Sequence, residues 1–233
     1  MGLSYPLFLV NLKTAEGTAG DDGLAVAETI DRVASETGRR FALAPQLPDL
    51  ARVAERTDLP VVAQRAVRRE EAGIGEVTCE AVAAAGADGV FVTHPGNRLP
   101  FSAVGPTLER CAELNLESIV WVESLEAARA ALALEPGPDC LLFEQPDDIA
   151  AEEGTVRSRP ERIAAFVEAV DGIAPETAVF VGGGVRTADD VARAFDCGVD
   201  ATGAASAAVE ALESGDLGPW LRSIAEAVPA RLE

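Results

Sequence analysis

The chain has 233 residues, 48% of them hydrophobic, and carries 19 basic against 39 acidic side chains, a net charge of −20. That length supports a substantial buried core, and no apolar run approaches the roughly 20 residues a membrane span needs. An acidic surface without basic clusters excludes nucleic acid and anionic membranes as natural partners.

In chain order, short runs rich in Val, Leu, Ile and Phe alternate with alanine-rich helical periods. A strand at Leu7–Asn11 precedes a helix at Gly23–Glu36, and a strand at Phe41–Ala44 precedes a helix at Leu47–Arg56. Val61–Gln64 is followed by Val77–Ala85, Gly89–Thr93 by Phe101–Leu114, and Ser118–Val122 by Leu125–Leu134. The last three pairs are Cys140–Glu144 with Pro160–Val170, Ala178–Gly182 with Ala188–Phe195, and Val199–Gly203 with Ala204–Leu212. A final helix spans Pro219–Val228. Several strands are apolar on both faces, as parallel strands covered by helices must be. Gly38 and Gly86 stop helices, while Pro106, Pro160 and Pro219 fall near helix starts.

Strict alternation without a linker predicts one α/β domain over residues 1–233. Eight repeats of ~28 residues favour a (β/α)8 barrel over an open doubly wound sheet. The run Leu7–Val10 is too short for a signal-peptide core and lacks a basic flank. Cys79, Cys111, Cys140 and Cys197 lie far apart, which suits reduced thiols in a cytoplasmic protein.

Eighteen of the basic residues are arginine; Lys13 is the only lysine and His94 the only histidine. Lysine-poor acidity suggests a salt-adapted surface, and it makes the surviving lysine and histidine conspicuous. Active sites of (β/α)8 barrels lie in the loops that follow the strands. The first strand runs into Asn11-Leu12-Lys13, the third into Gln64-Arg65, the fourth into His94, and the sixth into Glu144. Singly, each has a bland reading as a solvated lysine, a satisfied core histidine or a helix-capping glutamate. Jointly, they suit proton abstraction beside a carbonyl: Glu144 as base, His94 polarising the oxygen, and Lys13 stabilising the developing enediolate. Gly182-Gly183-Gly184 and Gly203-Ala204, each at a strand end before a helix, suit a phosphate held by backbone N–H groups.

Val10-Asn11-Leu12-Lys13, Ala44-Pro45-Gln46, Ala63-Gln64, His94 with Asn97-Arg98, Glu144-Gln145-Pro146 and Val181 through Val185 resemble the triosephosphate isomerase family, its short archaeal branch in particular. The resemblance runs in order over essentially the whole chain. It implies a TIM barrel that interconverts dihydroxyacetone phosphate and glyceraldehyde 3-phosphate without cofactor or metal. It implies a glutamate base and a neutral histidine electrophile at Glu144 and His94. Asn11 and Lys13 would bind substrate, and Ile149, Gly184, Gly203 and Ala204 would contact its phosphate. A dimer or tetramer is also implied.

Three segments depart from the family. His94-Pro95-Gly96 stands for its His-Ser-Glu, removing a carboxylate partner of the lysine and implying slower turnover. Pro95 suits the first turn of a helix, and the Gly96 amide can still face the imidazole. Ala150-Ala151-Glu152 stands for the Gly-Thr-Gly turn of the lid after the sixth strand. Arg65 replaces a small polar residue or histidine, facing either a partner subunit or an ion pair near the site. Two other readings stay open at this level: an enolising barrel enzyme acting on another phosphorylated small molecule, and a paralogue that binds such a molecule without turnover.

Overall fold

A computed structural model describes residues 2–69, 71, 73–145 and 154–231. Its strands are β1 (Leu7–Asn11), β2 (Phe41–Ala44), β3 (Val62–Ala63), β4 (Gly89–Thr93), β5 (Glu117–Val122), β6 (Cys140–Phe143), β7 (Ala178–Val181) and β8 (Ala201–Ala204). All neighbouring pairs are parallel, in the order β2-β1-β8-β7-β6-β5-β4-β3. A parallel bridge from Leu43 to Val61 links the two outer strands and brings the sheet round on itself. The barrel, and not the open sheet, is the architecture.

Strand parity sorts the apolar residues into two layers. Along β1, Leu7 and Leu9 join Phe91, Ile119, Leu142 and Phe180 in the barrel interior. Phe8 and Val10 instead pack outward in the larger cluster beneath the helices. The strands therefore need apolar residues at successive positions, which explains their unbroken hydrophobic runs. At the base, the Leu3 amide donates to Glu117 Oε2 at 2.6 Å and the Tyr5 hydroxyl to Oε1. Burial pushes the Glu117 carboxyl above its ordinary range.

The covering helices are α1 (Gly20–Thr37), α2 (Leu50–Arg56), α3 (Cys79–Ala84), α4 (Phe101–Leu114), α5 (Leu125–Leu132), α6 (Thr155–Ser158), α7 (Pro160–Asp171), α8 (Ala188–Asp196), α9 (Ser206–Glu213) and α10 (Leu217–Ala227). None of them is long and apolar enough to cross a membrane.

Most departures from the predicted elements occur at their ends. The α1 helix starts three residues early because Asp49 Oδ2 accepts the Gly20 amide at 2.8 Å. Pro48 opens a separate 3-10 turn, Leu47–Asp49, ahead of α2. Pro106 lies inside α4, and Pro100 takes the N-cap position instead. Ala204 belongs to β8, with α9 starting at Ser206. The four-residue α6 was not predicted; so short a segment carries no legible helical period.

One device recurs at the strand starts. Asp88, Asp139 and Asp200 each directly precede an even-numbered strand and accept a backbone N–H at the start of the strand before. The distances are 2.9 Å to Val61, 2.8 Å to Ser118 and 2.7 Å to Val179. Each carboxylate satisfies a donor where the ladder begins, and so fixes the stagger between neighbours. Asp139 also accepts the Ser118 hydroxyl at 2.6 Å. Ser118 is buried, so Asp139→Ala orphans two donors. It is expected to lower stability by about 1–3 kcal/mol, read as a lower urea midpoint; an unchanged midpoint would refute the stapling role.

Candidate active site

The chain ends of four strands converge on one cleft at the C-terminal mouth of the barrel. Asn11 ends β1 and Lys13 lies two residues beyond it, His94 follows β4, Glu144 follows β6, and Gly182, Gly183 and Gly184 follow β7; all line it. Gly203 and Ala204 of β8 form the neighbouring wall. Convergence on one rim is dictated by direction: the strands are all parallel, so the residues that follow them emerge together.

His94 Nε2 and Glu144 Oε2 face each other 3.8 Å apart, both side chains largely buried. The Gly96 amide donates to His94 Nδ1 at 3.1 Å. An Nδ1 that accepts leaves the ring proton on Nε2, so the neutral imidazole points a donor into the cleft. Burial, reinforced by the positive charge of Lys13, pulls the His94 pKa down to about 4. The ring packs edge-on to Phe91, with centroids 5.8 Å apart.

Pro95 does not begin a helix. His94 and Asn97 pair as an antiparallel bridge, with N–H to O distances of 2.8 and 3.1 Å, and α4 starts only at Phe101. Proline's fixed φ and missing N–H suit this tight turn, whose reversal directs the Gly96 amide back to the ring.

Lys13 sits at φ +50°, a left-handed backbone that costs a non-glycine residue free energy. Asn11 Oδ1 accepts the Lys13 amide at 2.9 Å, and Gln64 Nε2 donates to the Lys13 carbonyl at 2.7 Å. Both peptide groups of the strained residue are thereby held.

Glu144 lies one residue beyond β6 and not within it. Its amide still donates to the Val122 carbonyl, and the Glu144 carbonyl accepts from Trp121 Nε1 at 3.0 Å. A Cβ on Gly182 would lie 3.1 Å from Glu144 Oε1, so glycine there leaves the carboxylate its place.

On the opposite wall, Gly183 and Gly184 have φ of +80° and +73°. Glycine takes up this left-handed backbone at little cost, and the turn it forms lines the cleft. Gly154 packs so closely on this turn that a Cβ would meet the Gly183 oxygen at 2.2 Å. Gly203 is equally confined: a Cβ there would lie 2.3 Å from the Leu9 oxygen. Ile149 and the lid segment Ala150-Ala151-Glu152 lie outside the described residues.

Beyond the lid, Arg157 forms two hydrogen bonds to Asp190 at 2.5 and 2.6 Å. Asp190 also accepts the amides of Arg186 and Thr187 and completes a capping box with Thr187. Burial opposes its ionisation, but the Arg157 guanidinium and these donors outweigh it, holding the carboxyl near 2. This pair, the Gln64 bridge and the Trp121 anchor were not singled out from sequence. A capping signal at Thr187 and Asp190 was readable; the partner 33 residues earlier was not.

Comparison with known proteins agrees with this geometry. The family model of triosephosphate isomerase matches residues 6–225. A triosephosphate isomerase of Methanothermobacter thermautotrophicus is 34% identical over 196 residues, covering 84% of this chain and 85% of the relative. One from Metallosphaera sedula is 34% identical, covering 91% and 92%, and one from Methanocaldococcus jannaschii is 29% identical, covering 88% and 93%.

Two outcomes test the electrostatics. A folded imidazole that titrates near 4 against an ordinary 6.5 means the unfolded chain binds more protons between those values. Stability should therefore fall as pH drops through that window, and nuclear magnetic resonance of the sole histidine should show a midpoint near 4 and none near 6.5. Asp190, depressed from 3.8 to about 2, contributes stability above pH ~4 that vanishes as pH falls through ~2. Arg157→Met should cost about 3 kcal/mol at pH 7, because it strands a buried carboxylate. In urea unfolding that deficit should shrink towards pH 2; a constant deficit would contradict the ion-pair account.

Proposed function

This chain belongs to the triosephosphate isomerase family, and from that premise we propose that it interconverts dihydroxyacetone phosphate and glyceraldehyde 3-phosphate by proton transfer through an enediolate. One observation carries the chemistry: a carboxylate and a neutral imidazole face each other 3.8 Å apart, beside the only lysine of the chain.

In this mechanism Glu144 removes the proton from the hydroxyl-bearing carbon beside the carbonyl and returns it to the former carbonyl carbon, while the hydroxyl proton passes to the former carbonyl oxygen. His94 donates its Nε2 proton in a hydrogen bond to the carbonyl oxygen. Being neutral, the ring stabilises the developing oxyanion without the cost of burying an imidazolium. Lys13 supplies the compensating positive charge, and Asn11 both supports it and binds substrate. The substrate phosphate would sit against main-chain amides at Gly184, Gly203 and Ala204; Gly184 has φ +73° and, like Gly203, carries no side chain to crowd the ligand. Ile149 of the lid is proposed as a further phosphate contact. With Gly96 in place of a carboxylate beside Lys13, turnover is proposed to be slower than in the family at large.

We also propose a cytoplasmic, salt-adapted homo-oligomer. The charge of −20 with a single lysine supports the salt adaptation. Ile74, wholly exposed in the loop after β3, supports contact with another copy.

The deciding measurement is isomerisation of glyceraldehyde 3-phosphate in multimolar KCl, by the wild-type protein and by Glu144→Gln. The wild type should turn substrate over, and the variant should lose about 10²–10⁴-fold in kcat. An inactive wild type, or a variant with undiminished kcat, would overturn the assignment.

A further inference from the structure

Arg65 lies two residues beyond β3, next to Gln64, and its side chain is tied to a residue 32 positions away. Its Nη1 donates to Asn97 Oδ1 at 2.6 Å. Asn97 Nδ2 in turn donates to the Gln64 carbonyl at 3.1 Å, so both ends of that amide are committed to adjacent residues of one loop. Asn97 is also the backbone partner of His94, and the turn between them carries the Gly96 amide that meets His94 Nδ1. The guanidinium is itself aimed: Glu76 Oε1 lies 3.7 Å from its Nη2, and Arg69 pairs with the same carboxylate.

We propose that Arg65 is a positioning residue for the isomerisation: its bond to Asn97 holds the four-residue turn that keeps the His94 imidazole in its reactive tautomer and orientation. The proposal rests on the isomerase reading above. The plainer role for Arg65 is a half-exposed ion pair with Glu76, worth about 0–1 kcal/mol. That role accounts for neither the short bond to Asn97 nor the fixed direction of the Asn97 amide. A charge-assisted bond of this length is among the stronger ones available to a side chain. Its object is a turn containing Gly96, a residue with little conformational restraint of its own. Once Asn97 swings free, the Gly96 amide leaves Nδ1 and nothing selects the Nε2 proton. A displacement of about 1 Å in such a group costs up to ~10²-fold in rate.

The same lattice reaches Lys13. Gln64 accepts from Asn97 through its carbonyl and donates to the Lys13 carbonyl through its amide. The ends of β1, β3 and β4 are thus linked by side chains as well as by the sheet.

The test uses Arg65→Ala, Asn97→Ala and the double variant, each assayed for isomerisation and each titrated by resonance of its one histidine. Each single variant should lose about 10- to 100-fold in kcat with KM within about twofold, and the double should lose no more than the worse single. The His94 midpoint should rise from about 4 towards 6.5 in all three. Asn97→Ala removes no charge and leaves Lys13 and Glu144 facing the ring, so a rise there reports the turn and not a lost guanidinium charge. An active wild type with variants unchanged in kcat and in histidine titration would overturn the positioning role, as would strictly additive losses. A wild type without turnover would instead bring down the isomerase reading itself.

Discussion

Closure of a parallel sheet is the constraint from which the site follows. Once Leu43 bridges Val61, every strand runs the same way around one axis, and the residues after each strand have a single rim to occupy. Gly203 shows how tight the closure is, since even a methyl group there would collide with the Leu9 carbonyl. The aspartates before β4, β6 and β8 set the stagger at the other end, and the stagger decides how far each strand projects. A slip of one residue would turn Glu144 and His94 from the cleft to the helix layer.

The cleft has two walls of opposite chemistry. On one stand a carboxylate, an imidazole and an ammonium, the groups proposed to supply proton transfer and charge. On the other stand the small residues proposed to receive the phosphate. Burial makes both work: it keeps the imidazole neutral, and it raises the value of each fixed dipole by excluding water. The two walls are not independent of the helices behind them. Asp190 caps α8 directly after the glycine turn and clamps Arg157, so α6 is held to that turn.

The reactive groups are supported by neighbours of a different kind. Lys13 is held in a strained backbone by Asn11 and Gln64, and His94 by the Gly96 amide within the turn that Asn97 closes. Arg65 and Asn97 extend that support across the mouth. Such preorganisation matters because the reaction demands a donor already aligned when charge develops. Surface arginines such as Arg52, Arg110 and Arg222 also pair with carboxylates, but exposed pairs of that sort contribute little individually and mainly temper a crowded acidic surface.

Much of this was legible from residues alone, because strand and helix periods, glycine stops and capping signals are local. The eight strands, and Lys13, His94 and Glu144 at strand ends, follow from spacings of a few residues, and the family resemblance from short motifs in order; eight repeats favoured a barrel, but only strand pairing closed it. What tertiary structure decided depends on side-chain direction across long sequence separations. The protonated nitrogen of His94 depends on where a non-helical turn sends the Gly96 amide. Arg65, open between a partner subunit and a nearby ion pair, finds Glu76 within its own loop and Asn97 only once β3 and β4 lie side by side. Asp190 meets Arg157 only when α6 folds back over the glycine turn. Propensity fixes a residue's backbone from its neighbours in the chain, but a hydrogen-bond partner is set by neighbours in space, and only the closed barrel supplies those.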